Sequence, residues 1–233
     1  MQSESWVFGD YPGATPDHVH GFDKLHQLYQ HSDPSFDGVV TVPVLYDKHK
    51  KMIVNNESSE IIRMLNSAFD QWGRDDVDFY PVHLRSDIND INKLVYRNVN
   101  NGVYRSGFAT TQQAYEKAYH DLFTTLDELE SRLSKQRYLA GDQITEADWR
   151  LFPTLVRFDP VYHGHFKCNR QRLVDYPNLW GYTRELYQVS GVAETVNMDH
   201  IKTHYYGSHK SINPTGIVPQ GPDIDFTAVH NRD

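Results

Sequence analysis

Cysteine is nearly missing from this sequence: Cys168 is the single one among 233 residues. One thiol cannot close an internal disulfide, which excludes a disulfide-stapled scaffold. No apolar run reaches the roughly 18 residues that a membrane helix requires. The opening stretch MQSESWVFGDYPGATPD has neither a basic nor an apolar segment, so it does not read as a signal peptide, and a cytoplasmic protein is expected. Positive charge is in deficit, with 23 Lys and Arg against 31 Asp and Glu. That balance, with the signs interspersed, argues against nucleic acid or an anionic membrane as partner. GxGxxG, Walker, GxSxG and HExxH patterns are all absent. His200 and His204 stand four apart and His163 and His165 flank a glycine, but no third ligand accompanies either pair, and no metal is expected.

Aromatic residues, by contrast, are plentiful. There are 15 tyrosines, each joining a large apolar body to a polar tip, which suits packing and aromatic ligands alike. A chain of this length also buries a core without a covalent or metal staple.

Hydrophobic periodicity divides the chain in two. Residues up to 38 read as irregular, apart from a short helix over Gly21–His31. Val39–Asp47 reads as a strand interrupted by Pro43, Lys48–Lys51 as a turn, and Met52–Val54 as a second strand. Asn55–Ser59 opens a helix that ends by Gly73. Residues 74–86 read as a connector. From Asp87 the pattern is helical nearly to Gly207, with a loop expected over Asn98–Gly107. A long amphipathic helix follows Thr110–Gln113 and carries Leu122, Leu126, Leu129 and Leu133 on one face. Thr145 reads as a helix N-cap with Asp148 returning a bond to its amide, flanked by an Ile144–Trp149 staple. The Pro- and Gly-rich stretch from Ser211 to Asp233 reads as an extended tail packed on the surface or on a partner chain.

Two features resemble the glutathione transferases. One is the β-β-α order with Val42-Pro43 in its hairpin and Glu57-Ser58 at its helix start, similar to the second half of their thioredoxin-like domain. The other is the capped run GDQITEAD at 141–148. The closer resemblance is to the glutathionyl-hydroquinone reductases, the xi class. It rests on TVPVLYDK at 41–48, IVNNESSEIIRMLN at 53–66, NNGVYRSGFAT at 100–110, and the block from RFDPVY at 157 to NPTGIVP at 213–219 with FKCN, DYPNLWGY, LYQVSGVAETVN and HIKTHYYGSH inside it.

The resemblance implies a truncated thioredoxin-like domain over 1–74, a linker over 75–86, an all-α domain over 87–210 and a tail over 211–233. It implies glutathione as cosubstrate, aromatic quinol conjugates as substrates and a homodimer. It assigns Trp6, Val42, Pro43, Glu57 and Ser58 to glutathione, with a cis bond before Pro43 and the Ser58 region holding an α-carboxylate at a helix N-terminus. Tyr104 and Tyr205 fall to the aromatic substrate, with Tyr162 and Tyr206 as weaker candidates of the same kind. From the residues alone, an ordinary helix cap, an edge proline, a loop anchor at Trp6 and packed tyrosines remain open.

In that family a β-α-β segment bearing a Cys-Pro-Trp motif precedes the stretch matching Trp6. No Cys-Pro pair occurs in these 233 residues. Cys168 lies in FKCN, outside that motif, and is expected to be structural despite Lys167 and Arg170 nearby. Thiol-exchange chemistry is therefore expected in impaired form. The alternatives are an inert glutathione-binding or structural remnant, and a transferase that activates glutathione through a tyrosine.

Overall fold

The computed structural model describes residues 5–9, 11–73 and 77–232. Part of the expected linker, residues 75 and 76, and the last residue of the expected tail lie outside the described residues. The chain divides into two compact units, Met1–Asp78 and Phe79–Asp233.

In the first unit, helix α1 (Leu25–Ser32) buries Leu25 and Tyr29. It is entered through the Gln27 side chain, which accepts hydrogen bonds from the Asp23 and Lys24 amides. Strands β1 (Leu45–Asp47) and β2 (Met52–Asn55) pair antiparallel, with Tyr46 opposite Ile53 and Asp47 opposite Met52. The Asp47 carboxylate closes their turn by accepting from the His49 and Lys50 amides, 2.9 Å each. The first strand is shorter than expected. Val39–Val44 is not paired as strand, and Val39 is 81% exposed. An apolar run there reads as a buried strand only if something covers it. Val42, Val54, Leu65, Phe69 and Trp72 are exposed in this unit as well. Helix α2 (Ser58–Ser67) stops before the expected Gly73 and buries Ile61.

The second unit is helical. Its elements are α3 (Arg85–Val95), α4 (Asn101–Gly107), α5 (Gln112–Leu133), α6 (Glu146–Val156), α7 (Pro177–Tyr187) and α8 (Met198–Ser208). Wide π-type turns follow α3 (Tyr96–Asn100) and α6 (Phe158–Tyr162). Leu122, Phe123, Leu126 and Leu129 of α5 are buried against Leu151 and Leu155 of α6 and Leu179 and Leu186 of α7 in one core.

The expected loop over Asn98–Gly107 is helix instead. Its glycines serve close packing rather than a turn. A Cβ on Gly102 would touch Leu122, and one on Gly107 would sit 2.3 Å from the Phe166 ring. Its asparagines bond across helices: Asn98 to Thr125, and Asn100 to Thr154 and the Arg150 carbonyl. The last bond occupies a carbonyl of α6 close to Pro153, whose missing amide leaves a gap in that helix's own ladder.

The expected capping box is present at the start of α6. Thr145 N donates to Asp148 at 2.7 Å, and the Asp148 carboxylate is fully buried. The tail packs back on its own unit. Gln188 donates to the Phe226 and Ala228 carbonyls, Lys202 to the Gln220 carbonyl, and Arg232 to Glu185 at 2.8 Å. Phe226 is buried against Trp180 and Tyr187.

Candidate functional site

Each unit carries one group of residues that the sequence singled out. In the first, the Val42–Pro43 peptide is cis. Beside it Thr41 is tied to two elements. Tyr29 of α1 donates to the Thr41 carbonyl at 2.8 Å, and Asn56, at the approach to α2, donates to its hydroxyl at 2.9 Å. The second bond links the segment holding Val42 and Pro43 to the segment holding Glu57 and Ser58. At the start of α2 the cap is Glu57. Its carboxylate accepts from the Ser59 amide (3.1 Å) and hydroxyl (2.9 Å), while its own amide donates to Asn55. Ser58 is the first helical residue, where backbone amides point outward without intrahelical acceptors. Trp6 sits at the entry to α1, its carbonyl accepting from the Leu25 amide at 2.9 Å, and its ring is half exposed.

The second group gathers around three phenols. Tyr104 comes from α4, not from a loop, and Tyr205 from within α8 rather than after it. The Tyr205 hydroxyl bonds to those of both Tyr104 and Tyr162, the latter at 2.8 Å. Tyr162 lies on the π-type turn after α6. The wide turn there leaves the ladder offset, and Pro160 cannot donate to it. Phe166 packs against all three rings, with centroids 5.4–5.9 Å away. Tyr162 and Tyr205 are buried, whereas Tyr104 is 38% exposed.

Three hydroxyls contribute three protons, and the two bonds between them consume two. One O–H remains to donate outward, and the exposed end of the chain is Tyr104. Burial pushes the Tyr162 and Tyr205 phenols well above their ordinary range, helped by the neighbouring tyrosines. Both stay protonated at neutral pH, so these two phenols serve as hydrogen-bond donors. Tyr206 turns elsewhere, donating to the Pro160 carbonyl at 3.2 Å.

Histidines border the phenols. His204 and His209 both lie edge-on to Tyr205 with centroids 5.4 Å away, and His165 Nε2 meets His209 Nδ1 at 3.2 Å. The usable signal was spacing: on a helix, His209 of HIKTHYYGSH falls one turn beyond Tyr205.

Cys168 is fully buried, and burial pushes its thiol up to about 12, with weaker opposition from a Ser106 hydrogen bond and Lys167. A thiol so placed is neither nucleophilic nor reachable. In native protein at pH 8 it is expected to resist an aromatic disulfide reagent over hours, and to react within minutes in denaturant. Rapid labelling of the native chain would contradict this placement.

A separate concavity of about 290 Å³ is lined by Asp159, His163, Arg172, Tyr206 and the prolines of the tail. Its main polar groups are already engaged: Asp159 accepts from the Leu173 and Val174 amides, and Arg172 is bidentate to Asp175. No helix of the described residues is long and apolar enough to cross a membrane.

Comparison with known proteins identifies the family of this fold. Residues 112–185 match the model for the glutathione S-transferase C-terminal domain. The chain is 56% identical over 222 residues to glutathionyl-hydroquinone reductase PcpF of Sphingobium chlorophenolicum, covering 95% of this chain and 71% of the relative. It is 53% identical over 234 residues to glutathionyl-hydroquinone reductase YqjG of Escherichia coli K12, covering 100% of this chain and 71% of that one. The glutathione-bound structure of YqjG superimposes with a TM-score of 0.96 at 54% identity, over 97% of this chain and 74% of that chain. A Xi class glutathione transferase from Natrialba magadii superimposes at 0.95 with 50% identity, over 97% and 70%. By sequence and fold this chain belongs to the glutathionyl-hydroquinone reductases, the Xi class of glutathione transferases.

Proposed function

We propose that the chain binds glutathionyl-hydroquinones and supplies the substrate-holding part of their reduction to hydroquinones. The observation that carries this reading is the three-tyrosine chain, which offers a single outward phenol donor at Tyr104 in an aromatic-walled site. A quinol oxygen is a fitting acceptor. A hydrogen bond to it favours departure of the ring when its thioether bond is attacked.

In the full reaction a thiolate attacks the glutathionyl sulfur, the carbon–sulfur bond breaks, and the ring leaves with its electron pair and takes up a proton. The thiol is left as a mixed disulfide with glutathione. A second glutathione then attacks that disulfide, restoring the thiol and releasing glutathione disulfide. Within these residues the one thiol, Cys168, is unfit for the first step, so the nucleophile has to be supplied by another thiol.

Glutathione binding is ascribed to the first unit by itself. The Ser58 end of α2 offers amides and the positive end of a helix to the α-carboxylate. Glu57 meets the γ-glutamyl amine, Val42 pairs with the cysteinyl backbone as an added strand would, and Trp6 forms a wall. Glutathione is thus the cosubstrate, in a cytoplasmic homodimer. The high-lying phenols disfavour the tyrosine-activated alternative, because a phenolate at Tyr162 or Tyr205 is costly.

The test is to incubate the purified 233-residue chain and its Cys168→Ser variant with a glutathionyl-hydroquinone and glutathione. Saturable binding with no hydroquinone release is expected from both. Release that disappears with Cys168→Ser would make Cys168 the nucleophile. Release that persists in both would restore the tyrosine mechanism, and absence of binding would end the proposal.

A further inference from the structure

Tyr205 is the one residue of the phenol chain that must bond on both sides, and its ring has further neighbours outside that chain. Its ring packs on Phe166 and lies edge-on to His209. His209 caps the end of α8, where the helix gives no backbone reason for a histidine. Its ring is nearly coplanar with Phe166 (15°), edge-on to Phe108 at 5.0 Å, and hydrogen-bonded to His165 at 3.2 Å. His165 in turn is buried, with its ring 4.5 Å from that of Tyr206.

We propose that His209 is a positioning residue for Tyr205: its hydrogen bond to His165 locks the ring against which Tyr205 is held, and so keeps the three hydroxyls in line for a quinol.

The chemistry of the pair supports this role. Two imidazole nitrogens facing each other share one proton, so the bond exists only while at least one facing nitrogen keeps its lone pair. Burial, His209 and Lys167 together hold His165 down to about 4, against a hydrogen bond from its ring to the Tyr205 carbonyl. Across the 3.2 Å contact one of the two facing nitrogens, His165 Nε2 or His209 Nδ1, carries the proton and the other accepts it. Burial, then His204, lowers His209 too, and His204 is itself lowered by burial and Arg157. The groups bearing on the pair are thus Lys167 from the segment after the π-type turn, His204, Tyr205 and Tyr206 from α8, Arg157 from the end of α6, and Tyr104 through the phenol chain from α4. The charged ones are cationic, so the pair is neutral at neutral pH. Since both folded-state values lie below the ordinary 6.5, the arrangement is complete above about 6.5 and is lost as pH falls through the lowered values, which for His165 is about 4.

Two substitutions separate the hydrogen bond from the packing. His209→Phe keeps a ring between Phe108, Phe166 and Tyr205 but loses the nitrogen that bonds His165. His209→Asn keeps an amide that can donate or accept near Nδ1 and loses most of the ring. The readout is the ¹³Cζ resonance of each labelled tyrosine, assigned with Tyr104→Phe and Tyr205→Phe, together with the Kd for unsubstituted hydroquinone. His209→Phe is expected to move the Tyr205 and Tyr104 resonances, abolish their response to acid and weaken hydroquinone binding about tenfold, with His209→Asn restoring most of each. Unmoved resonances in a folded His209→Phe protein, or equal damage from both substitutions, would overturn the proposal. It rests on the quinol reading for its purpose only. If hydroquinone fails to bind native protein, that reading falls, while the resonances still decide the role of His209.

Discussion

Replacing Asp148 with alanine is expected to lower the unfolding free energy by about 4 kcal/mol, read as a shifted midpoint in urea with an unchanged slope. The carboxylate is fully buried and receives four donors: the Thr145 amide (2.7 Å) and hydroxyl (2.9 Å), the Leu139 amide (2.9 Å) and the Tyr182 hydroxyl (2.7 Å). These come from the start of α6, from the segment before it and from α7, so one side chain joins three parts of the second unit. Each buried donor left without an acceptor costs about 1–3 kcal/mol, and the total is less than four times that because a cavity of this size admits some relaxation. Burial pushes the Asp148 carboxyl up, and its four donors oppose this without cancelling it. Asp148→Asn is expected to recover less than half of the loss. The amide keeps one acceptor oxygen but presents an NH₂ to groups that are themselves donors. A midpoint unchanged by Asp148→Ala would mean that the box is dispensable to the fold.

That carboxylate was legible in advance because its logic is local: Thr145 and Asp148 are three residues apart, and a capping box is a property of that spacing. The same holds for α5, whose leucines repeat with the helical period, and for the turn closed by Asp47. Readings failed where a local signal had a distant cause. Asn98–Gly107 carries the composition of a loop, yet Gly102 and Gly107 are small because Leu122 and Phe166 pass close by. Val39–Val44 has the composition of a strand, but among the described residues no strand pairs with it. The phenol chain is the extreme case. Tyr104 and Tyr205 are 101 positions apart, and nothing in periodicity joins them. They were identified through family resemblance, and the same reading ranked Tyr162 below them although it shares the Tyr205 hydroxyl. The place of His209 beside Tyr205 was missed although the two are one helical turn apart, because that spacing does not by itself say what the ring packs on.

Tyr205→Phe is expected to weaken hydroquinone binding about thirtyfold while lowering stability by only about 1–2 kcal/mol, and Tyr104→Phe to weaken binding about tenfold with almost no loss of stability. The order follows from position in the chain. Tyr104 is the exposed end, so its hydroxyl is the group that meets the ligand, and removing it costs that one hydrogen bond while Tyr205 keeps its bond to Tyr162. Tyr205 is the middle. Without its hydroxyl the buried Tyr162 phenol loses its partner, which accounts for the stability loss. The Tyr104 phenol also loses the donor that fixes its direction, so the remaining contact with the quinol is no longer preorganised. A ligand held by packing alone against Phe166 and Tyr104 would instead show equal and small effects from the two substitutions. A double Tyr104→Phe, Tyr205→Phe protein separates the two accounts. If the hydroxyls act as one chain, the double variant binds no more weakly than Tyr205→Phe by itself, because the donor that Tyr104 presents depends on Tyr205 behind it. Independent contacts would multiply the two losses to about three-hundredfold.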